Sequence, residues 1–489
     1  MMRPLLSAIP VLITLGAAGL AGCVSVTRSE RFSDVARAVD ERASQRVHWR
    51  LHGAEDKQAD AFVDQLLSRP LTPESAVQVA LLRSRDLQAV YEDLGIAQAD
   101  LVQAGLLTNP DIAGFFRIPE SPRGPIGGSA QYRRERKPIP DPLGINWNIG
   151  LDFWLEMLVL PLRKRIAGAE LESAILRVTD AVLDKATQVR RAYFLYLADQ
   201  QVLAHHRARV EFAEVAAELS QRQRAQGHIA DLDLANEQAA AEEARLALDQ
   251  AEAAARISRE TLRRLLDLTD SDLAWTTDES VASIPAADPD AEALVATSLD
   301  NRVDLALLGR AIEFQRLGLE MDKNWFLNKG AIGVETERSS DGTQGTGAHV
   351  SVELPIFHQH QAVYARREAL IRQAEDRLAA RRGAARADVR IAAERMALAR
   401  RTAERYERSI VPLRQKIVGL TQTEYNAMIV GVPDLLAAKS AETRAGIDQA
   451  RAVQDYWTAR ADLERAIGVK LPDLPAPTAP TAPPEPTSG

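Results

Sequence analysis

The only cysteine of the chain, Cys23, closes the run Leu20-Ala21-Gly22-Cys23, behind Arg3 and an apolar stretch from Leu5 to Leu20. Residues 1–22 have the order of an export signal: a positive start, an apolar middle and small residues before the cut. The pattern resembles the bacterial lipobox, in which a peptidase cuts before cysteine and the thiol carries diacylglycerol. Val24 follows where an Asp would suggest retention in the inner membrane, so the lipobox implies the outer membrane. One cysteine leaves no internal disulfide framework and no cysteine-based zinc site. His358 and His360 share a face at the end of a strand-like stretch, a spacing open to a metal. Histidines so placed more often sit at a membrane interface or cap a helix, and no metal is assigned. His205 and His206 are adjacent on a helical stretch and diverge, and the six methionines form no cluster for copper. Gly342, Gly345 and Gly347 open no helix and so make no phosphate cradle. The run Arg133 to Lys137 is a solvated basic loop that could also meet lipid phosphates. No His-Glu-x-x-His, Gly-x-Ser-x-Gly or Walker pattern occurs. The chain therefore reads as non-enzymatic, with no cofactor apart from the lipid on Cys23.

The elements that would position these residues are mainly helical. Of 489 residues, 46% are hydrophobic and 26% charged, which excludes wholesale disorder. Aromatics make up only 5%, while Ala, Arg, Leu and Glu dominate long stretches, as in extended helices. The net charge of −8, with no basic domain set apart, argues against nucleic-acid binding. Beyond the signal, no stretch reaches the roughly 20 apolar residues of a spanning helix, so any membrane crossing must use strands.

Two copies of one plan organise the mature chain. Helical segments at about 72–107 and 288–327 carry Leu82, Asp86, Leu87 and Leu299, Asp304, Leu305. Each leads into two alternating stretches, a Leu-Pro step at Pro161 or Pro355, and a very long helix, about 163–224 or 358–425. The helices break at short tips, about 225–231 and 426–433, and resume at Asp233-Leu234 and Asp434-Leu435. The offset between copies is 201 residues from tip to end but 194 at the Leu-Pro step. The difference is one heptad, a length change that leaves a packed helical face pointing the same way. A 62-residue helix spans about 93 Å, room for two shorter helices stacked beside it. The seams are narrow: Ala438, Ala445, Ala452, Ala459 and Ala466 recur every seven residues, as do Leu234, Ala241, Leu248, Ala255 and Leu262. Small residues at heptad spacing predict closely packed coiled-coil helices.

Four strands are expected, at about 109–118, 145–158, 330–338 and 347–356. Ile112, Gly114, Phe116 and Ile118 share one face in the first, and Trp147, Ile149, Leu151, Phe153 and Leu155 in the second. Ile332, Val334, Val350, Val352 and Leu354 do so in the others, with Asp152, Glu335 and Glu353 opposite. An apolar face against an acidic one fits a half-buried sheet or a barrel with a wet lumen. Open sheet edges are not tolerated in lipid, so four strands cannot span alone. Two chains would supply eight strands, a barrel filled by its own side chains. An open pore needs at least three chains and twelve strands.

The lipobox, the duplicated helix–hairpin–helix plan, the Leu-Pro steps and the Asp-Leu restarts together resemble the TolC-like outer-membrane efflux proteins. The resemblance covers about 72–469 and implies a homotrimer: a twelve-stranded β-barrel continued by an α-helical coiled-coil tunnel in the periplasm. It implies as partners a periplasmic adaptor and an inner-membrane resistance-nodulation-division transporter, with the chain as a passive exit duct for metal cations or drugs. Residues 23–70 would be a lipidated arm, 71–268 the first repeat, 269–287 a linker, and 288–470 the second repeat. Residues 471–489, with seven prolines, read as a disordered tail of polyproline II character. Channels of this family are narrowed at the periplasmic tips by acids, a tyrosine and an arginine. Aligned on the tips, Asp233, Tyr425 and Asp434 take the acid and tyrosine places. Val430 stands where the arginine would be, Ala437 where a second acid would be, and Met428 where the tip glycine is Gly227 in the first copy. Asp152, Glu335 and Glu353 would line the barrel. Asp233 and Asp434 are equally suited to N-capping their helices. Two other functions fit the same elements: an outlet for protein or polysaccharide export, and a structural coiled-coil lipoprotein without a pore.

Overall fold

The computed structural model describes residues 30–109, 111–117, 146–269, 275–278, 284–285, 287–328, 330–339, 343–354 and 356–471. The export signal, Cys23, the loop at 119–144 and the segment 472–489 lie outside them, as does most of the linker. The chain divides into two compact units, one built from residues 95–174 and 308–377, the other from 29–94, 175–307 and 378–471.

Most described residues are helical. Short helices α1 (Phe32–Ala43) and α2 (Ala54–Leu67) come first, then α3 (Pro73–Arg83) and α4 (Arg85–Ala104). Strands β1 (Asp111–Arg117) and β2 (Asn146–Trp154) follow, and a 3-10 turn over Leu155–Val159 leads into α5 (Leu160–Ala225) and α6 (Asp231–Leu265). The second half runs α7 (Ala291–Asn301), α8 (Val303–Lys323), the single-turn α9 (Trp325–Asn328), β3 (Ala331–Arg338) and β4 (Gln344–Ser351). It ends with α10 (Gln361–Arg405), α11 (Val411–Asn426) and α12 (Val432–Ile467).

Three details differ from the sequence expectation. The helix expected at 72–107 breaks at Ser84, and that expected at 288–327 breaks at Arg302 and again at Asn324; ψ turns to 115° at Ser84 and 121° at Arg302. The helix expected to run unbroken to 425 carries a π turn at Tyr406–Ile410. Pro412 accounts for it: the ring has no N–H and would clash with a carbonyl one turn back, and a widened turn accommodates both. The last strand occupies 344–351 rather than 347–356, so Val352, Glu353 and Leu354 lie beyond its end.

The first unit holds a four-stranded antiparallel sheet in the order β1-β2-β3-β4. Its register aligns Ile112, Leu151, Val334 and Ala348 in one row, and Phe153, Ile332 and Val350 in another, all on one face. That apolar face is open: Ile112 is 78% exposed, Phe116 71% and Val350 66%. On the other face Gly150, Ala331 and Gly333 are buried. Beside the sheet Leu162, Ile166 and Ala169 of α5 form one stripe against Leu317 and Met321 of α8. Arg310–Glu172 at 2.7 Å and Arg367–Asp322 at 2.7 Å flank the packed helices.

Among its described residues, the second unit holds helices and no named strand. In α6 the buried residues are Ala241, Ala244, Ala251, Ala255, Ser258 and Leu262, so small residues form the seam. Ala251 and Ala255 pack with Val202 and Leu203 of α5 and with Ile447 and Ala450 of α12. Contact is closest at Gly446, where an added Cβ would lie 2.5 Å from His205. Burial pushes the His205 imidazole below its usual range, keeping the contact between neutral groups. Another cluster joins Val295, Val389, Met396, Tyr456, Leu463 and Ile467. Thr277 of the linker forms a parallel bridge with Leu71, and the Tyr193 hydroxyl donates to the Leu71 carbonyl at 2.7 Å.

Candidate functional site

The helical tips are built by two turns of the same geometry. After α5, the Gly227 N–H donates to the Arg224 carbonyl and the His228 N–H to the Gln223 carbonyl, both at 2.9 Å. After α11, Met428 donates to Tyr425 and Ile429 to Glu424, again at 2.9 Å. The first turn needs a left-handed residue and has Gly227 at φ 77°; the second places Met428 there at φ 60°. A side chain in that region costs roughly 1–2 kcal/mol. Met428→Gly should therefore raise the local opening free energy of this tip by about 1 kcal/mol, read as slower amide exchange at Ile429; unchanged exchange would show that Met428 is not strained.

Asp233 and Asp434 sit three residues into their helices rather than at the N-caps. Asp233 accepts the Ala230 N–H at 3.2 Å, and Asp434 accepts the Gly431 N–H at 3.1 Å. Each carboxylate thus closes back onto the chain entering its helix and faces the positive helix end. Both are exposed, and Tyr425 is half-exposed. Among the described residues, no hydrogen bond or ion pair joins Asp233, Tyr425 and Asp434 within the single chain. One turn further in, Glu237 of α6 and Leu436 and Ala437 of α12 share a cavity of about 220 Å³ with Phe212 of α5. Burial pushes the Glu237 carboxyl above its usual range, and Asp233 one turn away adds to the shift. Sequence reasoning missed Glu237; its place four residues after Asp233, on the same helical face, was the available signal.

In the sheet, the polar face carries Asp152 and Glu335, whereas Glu353 lies past the end of β4. The Asn148 amide donates to Glu335 Oε2 at 3.0 Å across the β2–β3 pair. Asp152 of β2 and His349 of β4 stand on either side of Gly333 in one register row. His349 Nε2 lies 2.9 Å from Asp152 Oδ1 over the backbone of β3. Gly333 makes this possible, since an added Cβ would fall 2.1 Å from that oxygen. His349 was absent from the sequence candidates because alternation assigns a face, not a neighbour two strands away. His360, by contrast, stacks on Trp325 with ring centroids 4.4 Å apart.

Comparison with known proteins places these elements. Residues 145–267 match the model of the outer membrane efflux protein family. No curated protein matches the sequence. Among solved structures, a membrane protein from Pseudomonas aeruginosa is similar at 18% identity and a TM-score of 0.64, covering 92% of this chain and 98% of that one. The outer membrane protein VceC of Vibrio cholerae is similar at 13% identity and a TM-score of 0.62, with 85% and 97% covered. The outer membrane channel CmeC of Campylobacter jejuni gives 14% and 0.62, with 91% and 88% covered. At these identities the likeness is one of fold.

Proposed function

From the premise of an outer membrane efflux protein domain on the fold of TolC-like outer-membrane channels, we propose that this chain is the exit duct of a tripartite efflux system. Three chains close twelve strands into a barrel, and their helices continue it as a periplasmic tunnel. The single observation that supports this best is the inverted sheet: its apolar face is bare, while the buried strand residues Gly150, Ala331 and Gly333 lie on the opposite face. Water penalises such a face, and lipid accepts it, provided that neighbouring chains pair the free edges of β1 and β4. Asp152, Glu335 and His349 then line the lumen, and Asp233, Tyr425 and Asp434 the periplasmic entrance. Cys23 carries the lipid that tethers the chain to the outer membrane. A periplasmic adaptor and an inner-membrane resistance-nodulation-division transporter deliver the solute, a metal cation or a drug. Three copies of Asp434 at one constriction repel one another, and with Val430 supplying no arginine a bound cation relieves the repulsion.

Native mass measurement in detergent should give a trimer, and planar bilayers should show cation-selective conductance blocked by divalent metal on the tip side. Asp434→Asn, which keeps an acceptor for the Gly431 N–H, should weaken that block about tenfold without loss of trimer. Palmitate should label the parent and not Cys23→Ser. A monomer or dimer, or a trimer with no conductance, would sink the duct reading. Block unchanged by Asp434→Asn would reduce Asp434 to a structural residue.

A further inference from the structure

His205 and His206, adjacent on α5, play no part in the duct reading, yet they sit where α5 and α12 approach closely. The His205 ring lies over Gly446 of α12: a Cβ there would stand 2.5 Å from Cε1, 2.7 Å from Nε2 and 3.0 Å from Nδ1. The ring therefore fills the space a side chain would occupy, and no water fits between it and the backbone. His206 has its Nδ1 buried, without a partner among the described residues. One turn along α5, Val202 and Leu203 bury against Ala251 and Ala255 of α6 and against Ile447 and Ala450 of α12. The seam beside the two rings is thus apolar.

The surrounding charges do not offset this burial. Glu442 of α12 attracts a proton to His205, but Lys439 holds that carboxylate at 2.5 Å and itself repels one. Beside His206 stand Arg209 of the same helix and Arg451 of α12, both repelling a proton. The α6 acid that reaches α5 is Glu252, shared by Arg207 at 3.8 Å and Arg256 at 3.5 Å. From the π turn, the Tyr406 hydroxyl is spent on Asp448 of α12 at 3.4 Å. Burial is the main cause that pushes both imidazoles below their usual range, and Arg209 and Arg451 push His206 further. A base lowered in this way contributes stability that is complete above its unfolded value of about 6.5 and is lost as pH falls through the native value. We propose that His205 and His206 form an acid-operated wedge, in which a proton on each ring loosens the α5–α12 seam at Gly446. An imidazolium donates from both nitrogens and needs water or an acceptor at each, and parting the helices at Gly446 admits it. The wedge concerns packing within one chain and holds whether or not that chain is a duct.

The test is hydrogen exchange on the full chain in detergent. Protection of the Ile447 amide, corrected for the intrinsic rate, should fall about tenfold between about pH 7.5 and about pH 5. The double variant His205→Gln with His206→Gln, neutral at both values, should keep its protection across that range. Deuterium uptake at the imidazole C2–H gives a second readout on the parent that needs no variant. By that measure both rings should titrate below the same residues in the free peptide 200–211. Protection at Ile447 that does not change with pH overturns the proposal. So does an equal loss of protection in the double variant, or titration of the two rings at the value of the free peptide.

Discussion

Arg302→Met is expected to destabilise the helical unit by about 3 kcal/mol, the low end for breaking a buried ion pair. Arg302 lies at the break between α7 and α8 with its side chain 8% exposed. It grips Asp304 through Nε at 3.0 Å and Nη2 at 2.9 Å, and its Nη1 donates to the Ala466 carbonyl at 3.1 Å. Arg381 of α10 reaches the same carboxylate at 2.7 Å, and Asp388 lies 3.4 Å from both guanidinium groups. One residue thus holds the break, α10 and the end of α12 together. Methionine fills the volume but leaves Asp304 to Arg381 alone and takes the donor from the α12 carbonyl. Arg381→Met should cost less than about 1 kcal/mol, because that side chain is 40% exposed and solvent screens its contribution. Denaturant midpoints of the two variants in detergent decide the matter; equal losses would show that burial does not set the value.

Acid offers a second readout of the same network. Burial alone would raise the Asp304 carboxyl, but hydrogen bonds from Arg302 and Arg381 overcome it and hold it well below the usual carboxylate range. A depressed acid contributes stability above its unfolded pKa of about 4 and loses it as pH falls toward the native value. The parent midpoint should drop below about pH 4, and Asp304→Asn, already destabilised, should show less of that drop.

Gly333→Ala should disrupt the sheet by about 3 kcal/mol, at the upper end for overpacking. The new Cβ would meet Asp152 Oδ1 at 2.1 Å, His349 at 2.6 Å and the Leu151 carbonyl at 2.8 Å. The last contact is backbone and cannot rotate away, so adding Asp152→Ala should rescue only part of the loss. Gly347→Ala, with nothing within 4 Å of its Cβ, is the control. The yield of folded protein recovered in detergent should fall for Gly333→Ala and remain at the parent level for Gly347→Ala. Equal yields would mean that Gly333 is not a close-packed position.

Much of this architecture was legible because it is periodic. The alanines of α6 and α12 announce close helix packing at every seventh residue, and the alternation of Trp147 to Phe153 announces a strand with two unlike faces. Those patterns arise from local geometry, which a sequence records directly. The start of β4 was not legible, since Gln344-Gly345-Thr346-Gly347 carries no hydrophobic alternation. Its extent comes from pairing with β3, where Arg338 meets Gln344 and Ala331 meets Ser351. At the tips, local pattern located Asp233 and Asp434 and the turn that Gly227 marks, while the cavity that burdens Glu237 required three helices to meet. Arg302 has its partners 2, 86 and 164 residues away, and no spacing rule connects them. Sequence by itself determined which faces are apolar and where helices turn, because both follow from neighbours in the chain. Only the tertiary structure decided which charges are buried together, and which glycine must stay bare, because those depend on chain segments that become neighbours through folding.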